Sequence, residues 1–181
     1  MNRLAIMTVG KTHSGKTTFA KLLEKKLPNS IVVDQDNHAE ILHTYYPALI
    51  PKQGPNTIKF ALTRTVVDYA VNETNCHIIL CNSNRSPEGR LKLLKYYQDK
   101  SFTTILVHFD VPDRVLEERI KLSHRNNAIL RTVSSFKEVL AQQKNDDLIG
   151  PMENEADHFL IIKDADDMKR VISGIIEMNQ Y

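Results

Sequence analysis

One stretch limits this chain more than any other: Gly10-Lys11-Thr12-His13-Ser14-Gly15-Lys16-Thr17 fits the phosphate-binding pattern G-x-x-x-x-G-K-[S/T] at every fixed position. Such a loop works only between a buried strand and a helix. Residues 4–9 (LAIMTV) are an apolar run of strand length, and residues 17–27 place Phe19, Leu22, Leu23 and Leu27 at helical spacing, with Pro28 closing the helix. In that setting successive backbone N–H groups converge on one point and the helix adds the positive end of its dipole, so the main chain itself holds phosphate. Gly10 and Gly15 permit the turn, Lys16 is placed to reach the β- and γ-phosphates, and the Thr17 hydroxyl to take one position on Mg²⁺. Lys11, Thr12, His13, Ser14 and Thr18 complete the expected nucleotide-binding set. In a chain of this length the pattern is expected by accident on the order of 0.006 times.

The rest of the chain supplies the alternation this loop requires. Residues 31–33 (IVV) lead into Asp34-Gln35-Asp36-Asn37, and helical spacing follows through Ile41 and Leu42, with Asn37 and Glu40 patterned as a capping box. Residues 43–56 carry three prolines and a glycine and are expected to be irregular. Residues 57–73 return to helical period, with Ile58, Leu62, Val66 and Tyr69 on one face. Strands are expected at residues 77–81 (HIILC), 103–109 (TTILVHF) and 158–162 (HFLII). Helices are expected from Ser86-Pro87-Glu88, over residues 111–124, from Ser135 with Glu138, and after Asp164. In the last of these Met168, Val171, Ile172, Ile175 and Ile176 face inward. Short, almost continuously apolar strands alternating with helices predict an α/β fold with a doubly wound, five-stranded parallel sheet covered on both faces. Ligands of such sheets bind outside the carboxyl ends of the strands, so the loops after Val9, Val33, Cys81, Phe109 and Ile162 are expected to line one site.

Composition narrows the function classes. A length of 181 residues with 41% hydrophobic and 25% charged residues fits one domain over residues 1–181. A net charge of +2 carries no general signal for nucleic acid or anionic membrane. No apolar run reaches membrane-spanning length and the first strand begins within three residues of the start, which predicts a cytoplasmic location. Cys76 and Cys81 flank and end one strand with side chains on opposite faces, as expected of reduced thiols. The seven histidines show no zinc-ligand spacing.

Four features in order carry a resemblance. They are GKTHSGKTT behind a strand, Asp34-Gln35-Asp36 behind the second strand, Asn82-Ser83-Asn84 followed by Pro87-Glu88 and Arg90, and Phe109-Asp110-Val111-Pro112 with Arg119 and Arg125 downstream. In these the chain resembles small P-loop kinases of the adenylate-kinase-like class, and among them the kinase domain of bacteriophage polynucleotide kinase and zeta-toxin-like kinases. The likeness covers most of the chain. It implies a P-loop NTPase sheet of order 2-3-1-4-5, a lid at about residues 119–133 over ATP, and Asp36 as the carboxylate that accepts the proton of an attacking hydroxyl. Two positions depart from it. Asn82 stands where these kinases often carry Asp, and Ala39 stands where the polynucleotide kinase pattern has an Arg for substrate phosphate.

The residues therefore nominate Lys16, Asp36 and Arg125 for chemistry, with Asp34 the substitute for Asp36 and an N-cap role the alternative for it. Arg119, Arg125 and Arg131 could neutralise the transferring phosphoryl group, with Arg125 as the clamp. Asn82, Asn84 and Arg64 are candidates for substrate contact. Tyr45, Tyr46, Tyr96 and Tyr97 are open to base or sugar stacking or to packing at the edge of the core. The guanine-reading N-K-x-D pattern is absent, since Lys144-Asn145-Asp146-Asp147 only partly matches it, which favours ATP over GTP. The expected activity is ATP- and Mg²⁺-dependent phosphoryl transfer to a hydroxyl, with a small-molecule acceptor favoured over nucleic acid. A nucleotide-binding switch without an acceptor is the alternative.

Overall fold

The computed structural model describes residues 3–125, 130, 133–146 and 149–179. In chain order these form β1 (Arg3–Val9), α1 (Lys16–Glu24), β2 (Ser30–Val33), α2 (Gln35–Tyr45), a 3₁₀ turn (Pro47–Leu49) and α3 (Thr57–Glu73). Then follow β3 (His77–Leu80), α4 (Pro87–Asp99), β4 (Phe102–Phe109), α5 (Asp113–Lys121), α6 (Phe136–Asn145), a second 3₁₀ turn (Glu153–Glu155), β5 (His158–Ile162) and α7 (Ala165–Met178).

The five strands make one parallel sheet in the order β2-β3-β1-β4-β5. β1 lies at its centre, with Ala5 in register with Ile78 of β3 and with Thr104 of β4. Alternate residues of β1 feed two cores. Leu4 and Ile6 pack with Phe19 and Leu23 of α1 and Ile172 and Ile175 of α7, while Ala5 and Met7 pack with Ala70 and Val71 of α3 and Leu94 and Tyr97 of α4. Burial on both faces is why the strands read as unbroken apolar runs.

Local differences from the sequence reading have packing causes. α1 stops at Glu24, and the turn after it still buries Leu27. Its buried stripe is Phe19, Ala20 and Leu23, leaving Leu22 40% exposed. α2 starts at Gln35 because Asp34 is its N-cap, the Asp34 carboxylate accepting from the Asp36 amide at 2.9 Å. Asn37 is thus inside the helix and caps nothing. α3 buries Ala70 and Val71 while Tyr69 is 66% exposed, since the short side chains let the helix approach the sheet. α5 ends at Lys121, short of residue 124. Cys76 and Cys81 are both free thiols, and Tyr97 is wholly buried, Tyr45 and Tyr46 exposed. Among the described residues no helix is long and apolar enough to cross a membrane.

Candidate nucleotide site

The eight-residue loop runs from the end of β1 into α1, at the carboxyl edge of the sheet. Gly10 is pressed against β4: a Cβ at this position would come within 2.8 Å of Phe109 Cβ, and the Gly10 amide donates to the Ser83 carbonyl at 3.0 Å. Gly15 heads α1 with φ 106°, a conformation that L side chains rarely adopt. Lys16 folds back over the loop, its Nζ donating to the carbonyls of Gly10 (3.0 Å) and Lys11 (2.6 Å) and to Ser14 Oγ (3.1 Å). Burial pulls the Lys16 ammonium down to about 8.

Two later helices grip this loop from outside. Arg119 of α5 donates from Nη1 to the carbonyls of His13 and Ser14, each at 3.1 Å, and Asp113 accepts from Lys11 Nζ at 2.6 Å. From α6, Gln143 Oε1 accepts from the Thr12 amide at 2.8 Å, and the Phe136 ring meets the His13 ring edge to face at 5.0 Å. Burial lowers the pKa of that imidazole first, with Arg125, Lys16 and Arg119 adding to the effect. Arg85, in the loop after β3, in turn holds the end of α6 through the Gln143 carbonyl (2.7 Å) and the Asp146 carboxylate (2.8 Å).

Beside the loop opens a cleft of about 870 Å³ lined by Gly15, Lys16, Thr17 and Thr18 on one side and by α2 on another. Its two aspartates differ in kind. Asp34 is 3% exposed, and burial pushes its carboxyl up against the pull of the Asp36 amide. Cys81 lies between Asp34 and Thr17, with Sγ 3.7 Å from Thr17 Oγ1 and within hydrogen-bonding reach of the Asp34 carboxylate, and burial raises the thiol to about 12. Asp36 is in the first turn of α2, half exposed to the cleft, and pairs with Arg125. The Arg125 guanidinium also lies 4.9 Å from the centre of the Phe136 ring.

The structure thus brings Thr12, His13, Gly15, Lys16, Thr17, Thr18, Asp34, Asp36, Asn82, Arg119 and Arg125 to one cleft. Ser14 is buried beneath the loop, and Gly10 and Lys11 line a smaller cavity of about 180 Å³ on its far side. Asn82 also has a local task, its Oδ1 accepting from the Gln35 amide at 3.1 Å at the start of α2. Asn84 turns away to donate to the Thr8 carbonyl at 2.9 Å, and Arg64 lies outside the cleft, its side chain 83% exposed beside Asp68. Arg131 and part of the expected lid lie outside the described residues. Cys81, Lys59, Gln143 and Arg85 escaped the sequence reading. For Cys81 a signal existed, since it ends a strand at the mouth of the site.

A phosphate-binding loop joining the central strand to its helix in a 2-3-1-4-5 sheet defines the nucleotide-binding fold of P-loop kinases. The chain belongs to the AAA domain family, which it matches over residues 6–145. Its fold is similar to that of Mycobacterium tuberculosis APS kinase in complex with AMPPNP and APS, at 19% identity and a TM-score of 0.61 over 100% of both chains. It is also similar to Chaetomium thermophilum Kti12 in complex with ADP-AlF3, at 15% identity and a TM-score of 0.66 over 96% of this chain and 97% of that one. A chain of a Pnkp1/Rnl/Hen1 complex matches with a TM-score of 0.53 and 17% identity over 74% of this chain and 44% of its own. A search of curated proteins finds no match.

Proposed function

We propose that the protein is an ATP- and Mg²⁺-dependent phosphotransferase whose acceptor is a hydroxyl group. The observation that carries this reading is the facing of Asp36 and the phosphate-binding loop across one cleft. A loop that holds phosphate needs no carboxylate across the cleft for binding; a reaction that removes a hydroxyl proton does.

The geometry supports the following roles. The loop amides and Lys16, released from the carbonyls it now contacts, hold the β- and γ-phosphates. The Thr17 hydroxyl and the Asp34 carboxylate, hard oxygen donors on either side of Cys81, would hold Mg²⁺, which would neutralise phosphate charge when bound. Asp36 takes the proton of the acceptor hydroxyl as that oxygen bonds to the γ-phosphorus. The bond from phosphorus to the β–γ bridging oxygen breaks, its electron pair leaving with ADP. Arg125 leaves Asp36 for the transferring phosphoryl group, and Arg119, already on the loop, stabilises the same charge. Residues at about 119–133 act as the lid of a single domain. Two free thiols fit a reducing, cytoplasmic setting.

The test is incubation with γ-labelled ATP and a panel of hydroxyl acceptors. Label on an acceptor, with little release in its absence, is expected. Hydrolysis that no acceptor changes would replace the transferase reading with that of a nucleotide switch.

A further inference from the structure

Phe136 opens α6 and is 8% exposed. The His13 ring of the phosphate-binding loop meets it edge to face at 5.0 Å, and the Arg125 guanidinium lies 4.9 Å from its centre. One ring thus joins the loop to the arginine assigned to the transferring phosphoryl group. The loop side of this contact is unusual. His13 has φ 59°, in the left-handed region that a non-glycine residue keeps only where its surroundings hold it there. Its carbonyl accepts from Arg119 at 3.1 Å, and its Nδ1 lies 3.0 Å from Thr12 Oγ1. Its Nε2 is buried without a partner among the described residues, so hydrogen bonding at that atom is not what keeps the imidazole against Phe136. Ring packing is.

The ring is fixed to the loop and not to the segment that carries the arginine. Phe136, Val139 and Gln143 line the cleft at spacings of three and four residues, hence on one face of α6. Gln143 accepts the Thr12 amide hydrogen, so that face meets the loop at both ends. Arg125 comes instead from the stretch after α5, and two of its contacts differ in kind. The ion pair with Asp36 uses an N–H donor and has to break when Asp36 takes the acceptor's proton. Attraction to the face of Phe136 needs none of those donors, so the guanidinium can pivot on the ring with its N–H groups free for phosphoryl oxygens.

We infer that Phe136, held by His13, is the seat that aims Arg125 at the transferring phosphoryl group. Both are positioning residues, which act through the arginine and not on the reacting atoms. This rests on the part given to Arg125 in the transferase reading and adds the two side chains that orient it.

Aluminium fluoride bound beside ADP and Mg²⁺ mimics a phosphoryl group in transfer and needs no acceptor, so it serves as the probe. The affinity of the full chain for ADP, with and without aluminium fluoride, is read by calorimetry. Phe136→Leu is expected to leave ADP affinity nearly unchanged and to cut the gain from aluminium fluoride about 3- to 30-fold, the range of one cation–π contact. Phe136→Tyr keeps the ring and retains the gain. His13→Gly suits the left-handed backbone and removes the imidazole, so it lowers the gain in the same direction. Arg125→Ala lowers it too, and adding Phe136→Leu to that variant costs nothing further, since the ring then has nothing to aim. Several results overturn the inference: an undiminished gain in Phe136→Leu, His13→Gly or Arg125→Ala, an equal loss of ADP itself, or a further loss in the double variant. A loss in Phe136→Tyr as large as in Phe136→Leu, or no gain in the wild type, also overturns it. The panel of acceptors decides the transferase reading separately, because a nucleotide switch that cleaves ATP shows the same gain. No transfer of label, with the gain and its dependence on Phe136 intact, defeats the transferase and leaves the seat of Arg125 standing.

Discussion

Gln143 accepts the Thr12 amide hydrogen at 2.8 Å, so a side chain 131 residues downstream fixes one peptide of the phosphate-binding loop. The bond ties that peptide of the loop to α6. Gln143→Met keeps the length and removes the acceptor. A loss of about 1 kcal/mol, or some fivefold in ATP affinity, is expected, while Gln143→Glu, which still accepts, retains more of it. Equilibrium binding of ATP to both variants checks this, and wild-type affinity in Gln143→Met would mean that α6 does not hold the loop.

Asp36→Asn is expected to leave ATP binding nearly intact and to cut phosphoryl transfer by roughly 10²-fold, the scale of losing a positioned base. Because Asp34 and not Asp36 caps α2, the substitution leaves the cap in place. Asp34→Asn preserves the cap hydrogen bond but removes the charge across Cys81 from Thr17, so it should raise the Mg²⁺ concentration needed for half-maximal rate. Titrating rate against Mg²⁺ in both variants separates the roles; a shifted Mg²⁺ requirement in Asp36→Asn alone would exchange them.

Lys16 carries a pH signature. Burial holds its pKa at about 8, and an arriving polyphosphate, being anionic, raises it. A group whose pKa rises on binding contributes affinity that is fully present below the free value and is lost as pH climbs from there through the bound value. ATP affinity should therefore fall above pH of about 8, with proton uptake on binding near that pH. Calorimetry in buffers of different ionisation enthalpy measures the uptake, and zero uptake at that pH would contradict the assigned state of Lys16.

Stability hangs on a pair outside the cleft. Arg90 of α4 and Glu155 are bonded twice, at 2.5 and 2.8 Å, with side chains 0% and 3% exposed. Arg90 also donates to the carbonyls of Asn84 and Arg85, so the loop after β3 takes its shape from this guanidinium. Arg90→Met strands a buried carboxylate and should cost about 3–5 kcal/mol, whereas adding Glu155→Leu should recover much of that loss. Denaturant unfolding of the single and double variants decides it; equal losses in both would show that the charge is not what matters.

Much of the fold was legible because its signals are local. The unbroken apolar strands gave the parallel sheet, and the loop pattern with the helix after it located the site. Capping was half legible: Ser86 and Ser135 cap as their patterns indicate, but Asp34 outcompetes Asn37 because the chain leaves β2 one residue before α2 begins. The α3 face was misread because Tyr69 and Ile58 weigh more on an apolar scale than the Ala70 that actually lets the helix close on the sheet. Gln143 with Thr12, Arg85 with Asp146, and Arg90 with Glu155 bond across 131, 61 and 65 residues. No local period encodes such pairs, so they emerge only from the packed structure.

The central place of β1 has a consequence for synthesis. Its partners are β3 and β4, with Val9 in register with His108, so the strand made earliest has an unpaired edge until residue 109 exists. Gly10 settles against Phe109 and Ser83, which means that the nucleotide loop cannot take its shape on a nascent chain that ends before β4. Contacts this far apart form slowly, and an apolar strand that waits for them is open to chaperones in the meantime. Ribosome-bound chains arrested short of residue 102 should remain protease-sensitive with or without ATP, and ATP should protect only those in which β4 has cleared the exit tunnel.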